Sequence, residues 1–156
     1  MMKLAQRALL FAASVAILDS VTAAAATLPA NTIVPVTTIH DITSKEMKVG
    51  DIQALQVASD VAQDGHVVIP RNSPVKATVT WRTGRGVGGK SAKFELTFNS
   101  VNISGRDYPL SGKYKQEGKG NTMAALLGSM VISGHSAVIT TGQILNAVSA
   151  EPITAL

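Results

Sequence analysis

The stretch Val75-Lys76-Ala77-Thr78-Val79-Thr80-Trp81-Arg82 alternates apolar and polar residues one by one. Ala92-Lys93-Phe94-Glu95-Leu96-Thr97-Phe98-Asn99 does the same. A period of two sends successive side chains to opposite faces of an extended backbone, so each stretch predicts a half-buried strand. Val75, Ala77, Val79 and Trp81 fall on the core face of the first, and Ala92, Phe94, Leu96 and Phe98 on that of the second. Beyond Asn99 the apolar parity flips to Val101 and Ile103, which requires a bulge or a strand end. One apolar and one polar face is the signature of antiparallel sheet with a wet side.

Reading outward, Asn102–Gly105 supplies turn residues, and Tyr108, Leu110 and the run Lys113–Glu117 continue the pattern. Upstream, Leu55, Val57 and Val61 mark a strand. Asp64-Gly65 is a two-residue hairpin signal, and Val67–Ile69 is the return strand, closed by Pro70 and Pro74. Short strands with turns every few residues predict a sandwich or barrel. Two segments are compatible with helix: Thr43–Gly50 for one turn, and Asn121–Ile132 for about three, with Asn121 as N-cap and Gly128 weakening it. The expected fold is therefore all-β, a small antiparallel β-barrel or sandwich with one short helix in the C-terminal half.

An internal repeat sharpens this. Leu28-Pro29-Ala30-Asn31-Thr32-Ile33-Val34-Pro35-Val36 aligns with Ile69-Pro70-Arg71-Asn72-Ser73-Pro74-Val75-Lys76-Ala77, and a third copy runs from Ile139 to Ala147 with Gly142 at the Asn position. Asn and Gly share tolerance of positive φ. Each copy is read as a corner into a new strand, and together as repeated corners of one closed sheet.

The first residues read as an address. Lys3 and Arg7 precede Ala8–Leu18, an unbroken apolar and small stretch; Asp19, Ser20 and Thr22 restore polarity, and Ala23–Ala26 offers small residues for cleavage. This is the order of a secretory signal peptide. Cleavage is expected after Ala24 or Ala26, giving a signal over 1–26 and a single β domain over 27–156 in the periplasm or outside the cell. The 156-residue chain has 15% charged and 46% apolar residues and no cysteine. That excludes a disordered chain, disulfides and thiolate chemistry.

Gly84-Arg85-Gly86-Val87-Gly88-Gly89-Lys90-Ser91 satisfies the phosphate-loop pattern. A phosphate loop needs a helix after it, whose N-terminus holds the phosphate. A strand pattern follows instead, so a glycine-rich hairpin loop is expected and no nucleotide. Residues 82–119 are nonetheless basic, with eight Lys and Arg against Glu95, Asp107 and Glu117. Arg82, Arg85, Lys90, Lys93, Lys113 and Lys115 are the candidate contacts for an anionic glycan or lipid phosphate. Phe94 and Phe98 lie on the core face, which removes a base-stacking platform and with it nucleic acid. His40, His66 and His135 stand in no metal-spaced motif, and no Ser, His and Asp set stands out. No enzyme, metal or cofactor is expected. Asn102-Ile103-Ser104 is a formal glycosylation triplet whose position reads as a turn.

Leu28-Pro29-Ala30-Asn31-Thr32, the run Val57-Ala58-Ser59-Asp60-Val61, the Asp64-Gly65 hairpin and Ile69-Pro70-Arg71-Asn72-Ser73 together resemble the periplasmic β-barrel domain of TrbI-like conjugal-transfer and type IV secretion proteins. The resemblance covers roughly residues 28–80, and Asn31 and Asn72 stand where that family has glycine. It implies a β-barrel, ring-like assembly and no enzyme. The expected function is a non-enzymatic envelope protein, similar to a secretion or conjugation component, that contacts envelope proteins or its own copies. The alternative is a periplasmic module for an anionic envelope ligand.

Overall fold

The computed structural model describes residues 25–84, 91–118 and 136–154. They form thirteen strands: β1 Thr27–Leu28, β2 Ile33–Thr38, β3 Ile42–Thr43, β4 Ile52–Val57, β5 Val61–Gln63, β6 His66–Ile69, β7 Pro74–Thr83, β8 Lys93–Ile103, β9 Arg106–Ser111, β10 Lys113–Glu117, β11 Val138–Ile139, β12 Ile144–Ser149 and β13 Ile153–Thr154. No helix occurs among the described residues, and the expected helix over Asn121–Ile132 lies outside them. Thr43–Gly50 forms hydrogen-bonded turns, with the Glu46 amide donating to the Thr43 carbonyl at 3.2 Å.

Every long pairing is antiparallel. The order β8-β7-β4-β2-β12-β9 returns to β8 through a β8–β9 ladder, so six strands close into a barrel. Of the two architectures expected, the barrel is the one formed. The interior is filled by alternate residues, including Val75, Ala77 and Val79 of β7, Phe94, Leu96 and Phe98 of β8, Val34 and Val36 of β2, and Leu145 and Ala147 of β12.

The three repeat copies are three corners. Asn31 and Asn72 both hold φ 65°, and Gly142 holds φ 85°. Each corner joins a two-residue or four-residue strand (β1, β6, β11) to a long barrel strand (β2, β7, β12). Each short strand pairs with another short strand, giving the ribbons β1–β13, β5–β6 and β3–β11 at the barrel ends. The first two corners bond alike: Asn31 and Asn72 amides donate to the Ser149 and Val57 carbonyls at 2.8 and 2.9 Å. Thr32 and Ser73 hydroxyls reach back to the Pro29 and Pro70 carbonyls at 2.7 Å each.

Two bulges shape β7 and β8. The β7–β8 register passes from Lys76↔Ser100 to Ala77↔Phe98, which leaves Asn99 unpaired and explains the parity flip. A second shift, from Val79↔Leu96 to Trp81↔Glu95, leaves out Thr80. It overturns one expectation: Trp81 lies outside the core, 46% exposed, because the bulge reverses the parity of everything after Thr80. Hairpins close at Asp64-Gly65 and Ser104-Gly105, all four residues at positive φ, as two-residue hairpin turns of this kind require.

Gly112 separates β9 from β10. β9 pairs with both β8 and β12, whereas β10 follows β8 alone. Its φ of +112° suits only glycine, and a Cβ there would sit 3.6 Å from the Phe98 ring. One continuous stretch thus closes the barrel with its first half and adds a seventh strand with its second.

Candidate functional site

Charge is divided along the sheet. Among the described residues, every Lys, Arg, Asp or Glu that lies within a strand belongs to β7, β8, β9 or β10. The adjoining strands β4, β2 and β12 carry none. The barrel therefore has a charged arc and an uncharged arc.

On the charged arc, alternation places Lys113, Lys115 and Glu117 of β10 outward, beside Thr97, Glu95 and Lys93 of β8. Glu95 is the hub. Its Oε1 accepts from Lys113 Nζ at 3.1 Å and Thr80 Oγ1 at 3.0 Å, and its Oε2 from Lys115 Nζ at 3.4 Å. Lys113 first, then the Thr80 hydroxyl, holds its carboxyl below the ordinary glutamate range against the opposing effect of desolvation. Lys93 pairs with Glu117 at 2.9 Å. Across β8, Lys76 pairs with Asp107 at 3.0 Å, and Asn102 donates to the same carboxylate at 2.6 Å. The Asn102 bond, then Lys76, keeps Asp107 low.

Of the six basic residues singled out from sequence, Lys93, Lys113 and Lys115 share this outer ladder. Arg82 does not join them: past the Thr80 bulge it is half-buried and donates to the Met47 carbonyl. Arg85 and Lys90 lie outside the described residues, as does most of the glycine-rich loop. The strand expected after that loop is present as β8.

Beside the ladder, Trp81, Lys93, Phe94, Lys115, Gln116 and Glu117 line a cleft of about 340 Å³. Gln116 is held from behind, its Oε1 accepting from the Tyr114 hydroxyl at 2.7 Å. Gln143, in the third corner, donates to that same hydroxyl and so ties β10 to the start of β12. Burial pushes the Tyr114 phenol up, opposed by the Gln143 bond.

A smaller recess of about 190 Å³ gathers His40, Asp41 and Glu46. Asp41 is occupied structurally: its Oδ1 accepts from the Thr141 amide at 2.7 Å and hydroxyl at 2.9 Å. These two bonds, the amide first, lower its pKa. Asp60 does the same for the second corner, accepting from the Arg71 amide at 2.6 Å. Arg71 and Thr141 are the same repeat position, so Asp41 and Asp60 are equivalent caps. Thr38-Ile39-His40-Asp41-Ile42 repeats the spacing of Val57-Ala58-Ser59-Asp60-Val61, the one signal in the sequence for this second cap. Among the described residues no group of three or more His, Asp or Glu is arranged to hold a metal.

The uncharged arc presents large aliphatic side chains to the exterior. Ile33 is 61% exposed, Ile52 68% and Ile144 55%. Thr37, facing Ile144 across the β2–β12 ladder, is buried, and its hydroxyl has no hydrogen-bond partner. A scan against models of known families matches none, and no curated protein matches the chain.

Proposed function

We propose that the chain is an exported, non-enzymatic cell-envelope protein that works through protein–protein contacts, in the manner of a TrbI-like secretion or conjugation component. One observation carries this reading: a continuous, charge-free arc of β4, β2 and β12 exposes Ile33, Ile52 and Ile144 on a rigid barrel. Large exposed aliphatic side chains on adjoining strands that carry no charge offer a surface for apolar contact. A basic surface elsewhere repels like-charged neighbours, so contact is favoured where charge is missing. The lysines of the charged arc are engaged with Glu95 and Glu117, which weakens the reading of that arc as a general phosphate or lipid-phosphate patch.

The test uses envelope extracts and native mass measurement. The exported protein is expected cut after Ala24 or Ala26, and in a defined assembly with a partner or with itself. Ile33→Lys together with Ile144→Lys is expected to abolish that assembly while leaving the melting temperature unchanged, because both side chains are already in solvent. A monomer without partners, or a double variant that assembles normally, overturns the reading.

A further inference from the structure

Trp81 is the one tryptophan of the chain. The Thr80 bulge turns this residue out of an otherwise apolar row and into the cleft beside β10. Bulges often re-aim a side chain for use. We propose that the Trp81 cleft binds an acidic saccharide, with a sugar ring lying on the indole and its carboxylate taken by Lys115. The proposal stands on a different arc from the isoleucine surface and does not depend on it.

The chemistry of the lining selects this class. About 340 Å³ is within the range of small-ligand sites, about 300–1,000 Å³. An indole offers a flat apolar face with a polar edge, which suits a ring that is apolar on its C–H face and hydroxylated at its rim. A hydroxyl-rich ligand needs donors and acceptors together. Lys93 and Lys115 donate, and Glu117 accepts.

Lys115 is the cation best placed to take a carboxylate. Its side chain is 77% exposed and holds Glu95 at 3.4 Å, the longest of the ladder's ion pairs. Glu95 keeps Lys113 and Thr80 if Lys115 turns to a ligand. Lys93, at 2.9 Å from Glu117, is held more closely. The Glu117 carboxylate at the rim disfavours a doubly charged phosphate more than a singly charged carboxylate. A lone aromatic is also a poor platform for a nucleotide chain.

Because Trp81 is the sole tryptophan, its emission reports on the cleft directly. The purified protein is titrated with tetragalacturonate, with neutral chitotetraose and with inorganic phosphate. The expected result is a saturable emission change with tetragalacturonate, about tenfold weaker with chitotetraose and absent with phosphate. Lys115→Gln should weaken tetragalacturonate binding about tenfold, as loss of one charge-assisted contact implies. Trp81→Leu, followed by calorimetry, should abolish it. If Trp81→Leu does not fold, Lys115→Gln and the neutral sugar decide. No saturable response, an equal response to phosphate, or undiminished binding by the variants overturns the proposal.

Discussion

The two arcs of the barrel enclose one core and are built by different means. The uncharged arc uses six-residue strands, β2, β4 and β12, of which β2 and β12 are entered through corners where Asn31 and Gly142 hold positive φ. The charged arc uses strands of ten and eleven residues, β7 and β8, which stay paired by inserting two bulges. A long twisted hairpin must bend to follow a small barrel, and bulges supply the bend. The six-residue strands reach the barrel end before the twist accumulates and pair without a bulge between β12 and β2 or β2 and β4. The exterior differs in the same way. The long hairpin and β10 carry a ladder of alternating charges, and β2, β4 and β12 carry none. The bulk of the core is unequal too, since the buried Phe94 and Phe98 both come from β8.

That inequality gives the largest expected effect. Phe98→Ala removes a buried ring and should cost about 3–5 kcal/mol in urea unfolding, against about 2 kcal/mol for Val36→Ala on the opposite arc. Equal costs would mean that the arcs support the core alike. Glycine positions separate the fork from the corners. Gly112→Ala meets no hard contact, so its cost of about 1–3 kcal/mol is backbone strain at φ +112°. Gly142→Asn, by contrast, should cost only a few tenths of a kcal/mol, because Asn already occupies the same place in the other two corners. A large loss at Gly142 would break the equivalence of the three corners.

Acid acts next, on the charged ladder and also on the Asp41 cap of the third corner. Glu95 and Asp107 have folded pKa values below their ordinary ones. A lowered carboxylate pKa adds stability that is complete above the ordinary range, near 4.5 for glutamate, and is lost as pH falls through the depressed folded value. Stability should therefore fall with acidification below that range, and Glu95→Gln should flatten the fall. An unchanged pH profile in the variant would remove Glu95 as the hub of the ladder. On the uncharged arc one substitution is expected to cost nothing. Thr37→Val deletes a buried hydroxyl without a partner and should leave stability unchanged or raise it by about 1 kcal/mol, read as the melting temperature.

Much of this was legible in sequence, and particular residues show where legibility stops. The Asn99 bulge is visible because the apolar parity flips after it. The Thr80 bulge is not: Thr80-Trp81 continues the alternation without a break, and only pairing with β8 reveals that Trp81 points outward. The corners are legible because positive φ restricts residue type to the Asn and Gly that mark them. Their caps, Asp41 and Asp60, lay at one spacing from the strand ends, but an Asp in a turn has many uses and the partner amides are far off in sequence. The basic tract is likewise a sequence fact, whereas its division into Lys113–Glu95–Lys115 and Lys93–Glu117 is set by the β8–β10 register. Which strands would be neighbours, and hence that charge collects on one arc, follows from topology that no local pattern encodes.

Thr27 stands opposite Thr154, and β2 opposite β12. The first strands of the barrel therefore have their partners among the last. Ladders of such sequence separation form late, because the whole intervening chain must be ordered before they gain anything. Without β12, the strands β2, β4, β7, β8, β9 and β10 can pair only as an open sheet with β2 and β9 unsealed, and β12 closes it by pairing with both. The same adjacency means that the domain has no preferred beginning: a link from Thr154 to Thr27 and a cut in the Asp64-Gly65 turn would reorder the chain and leave every ladder in place.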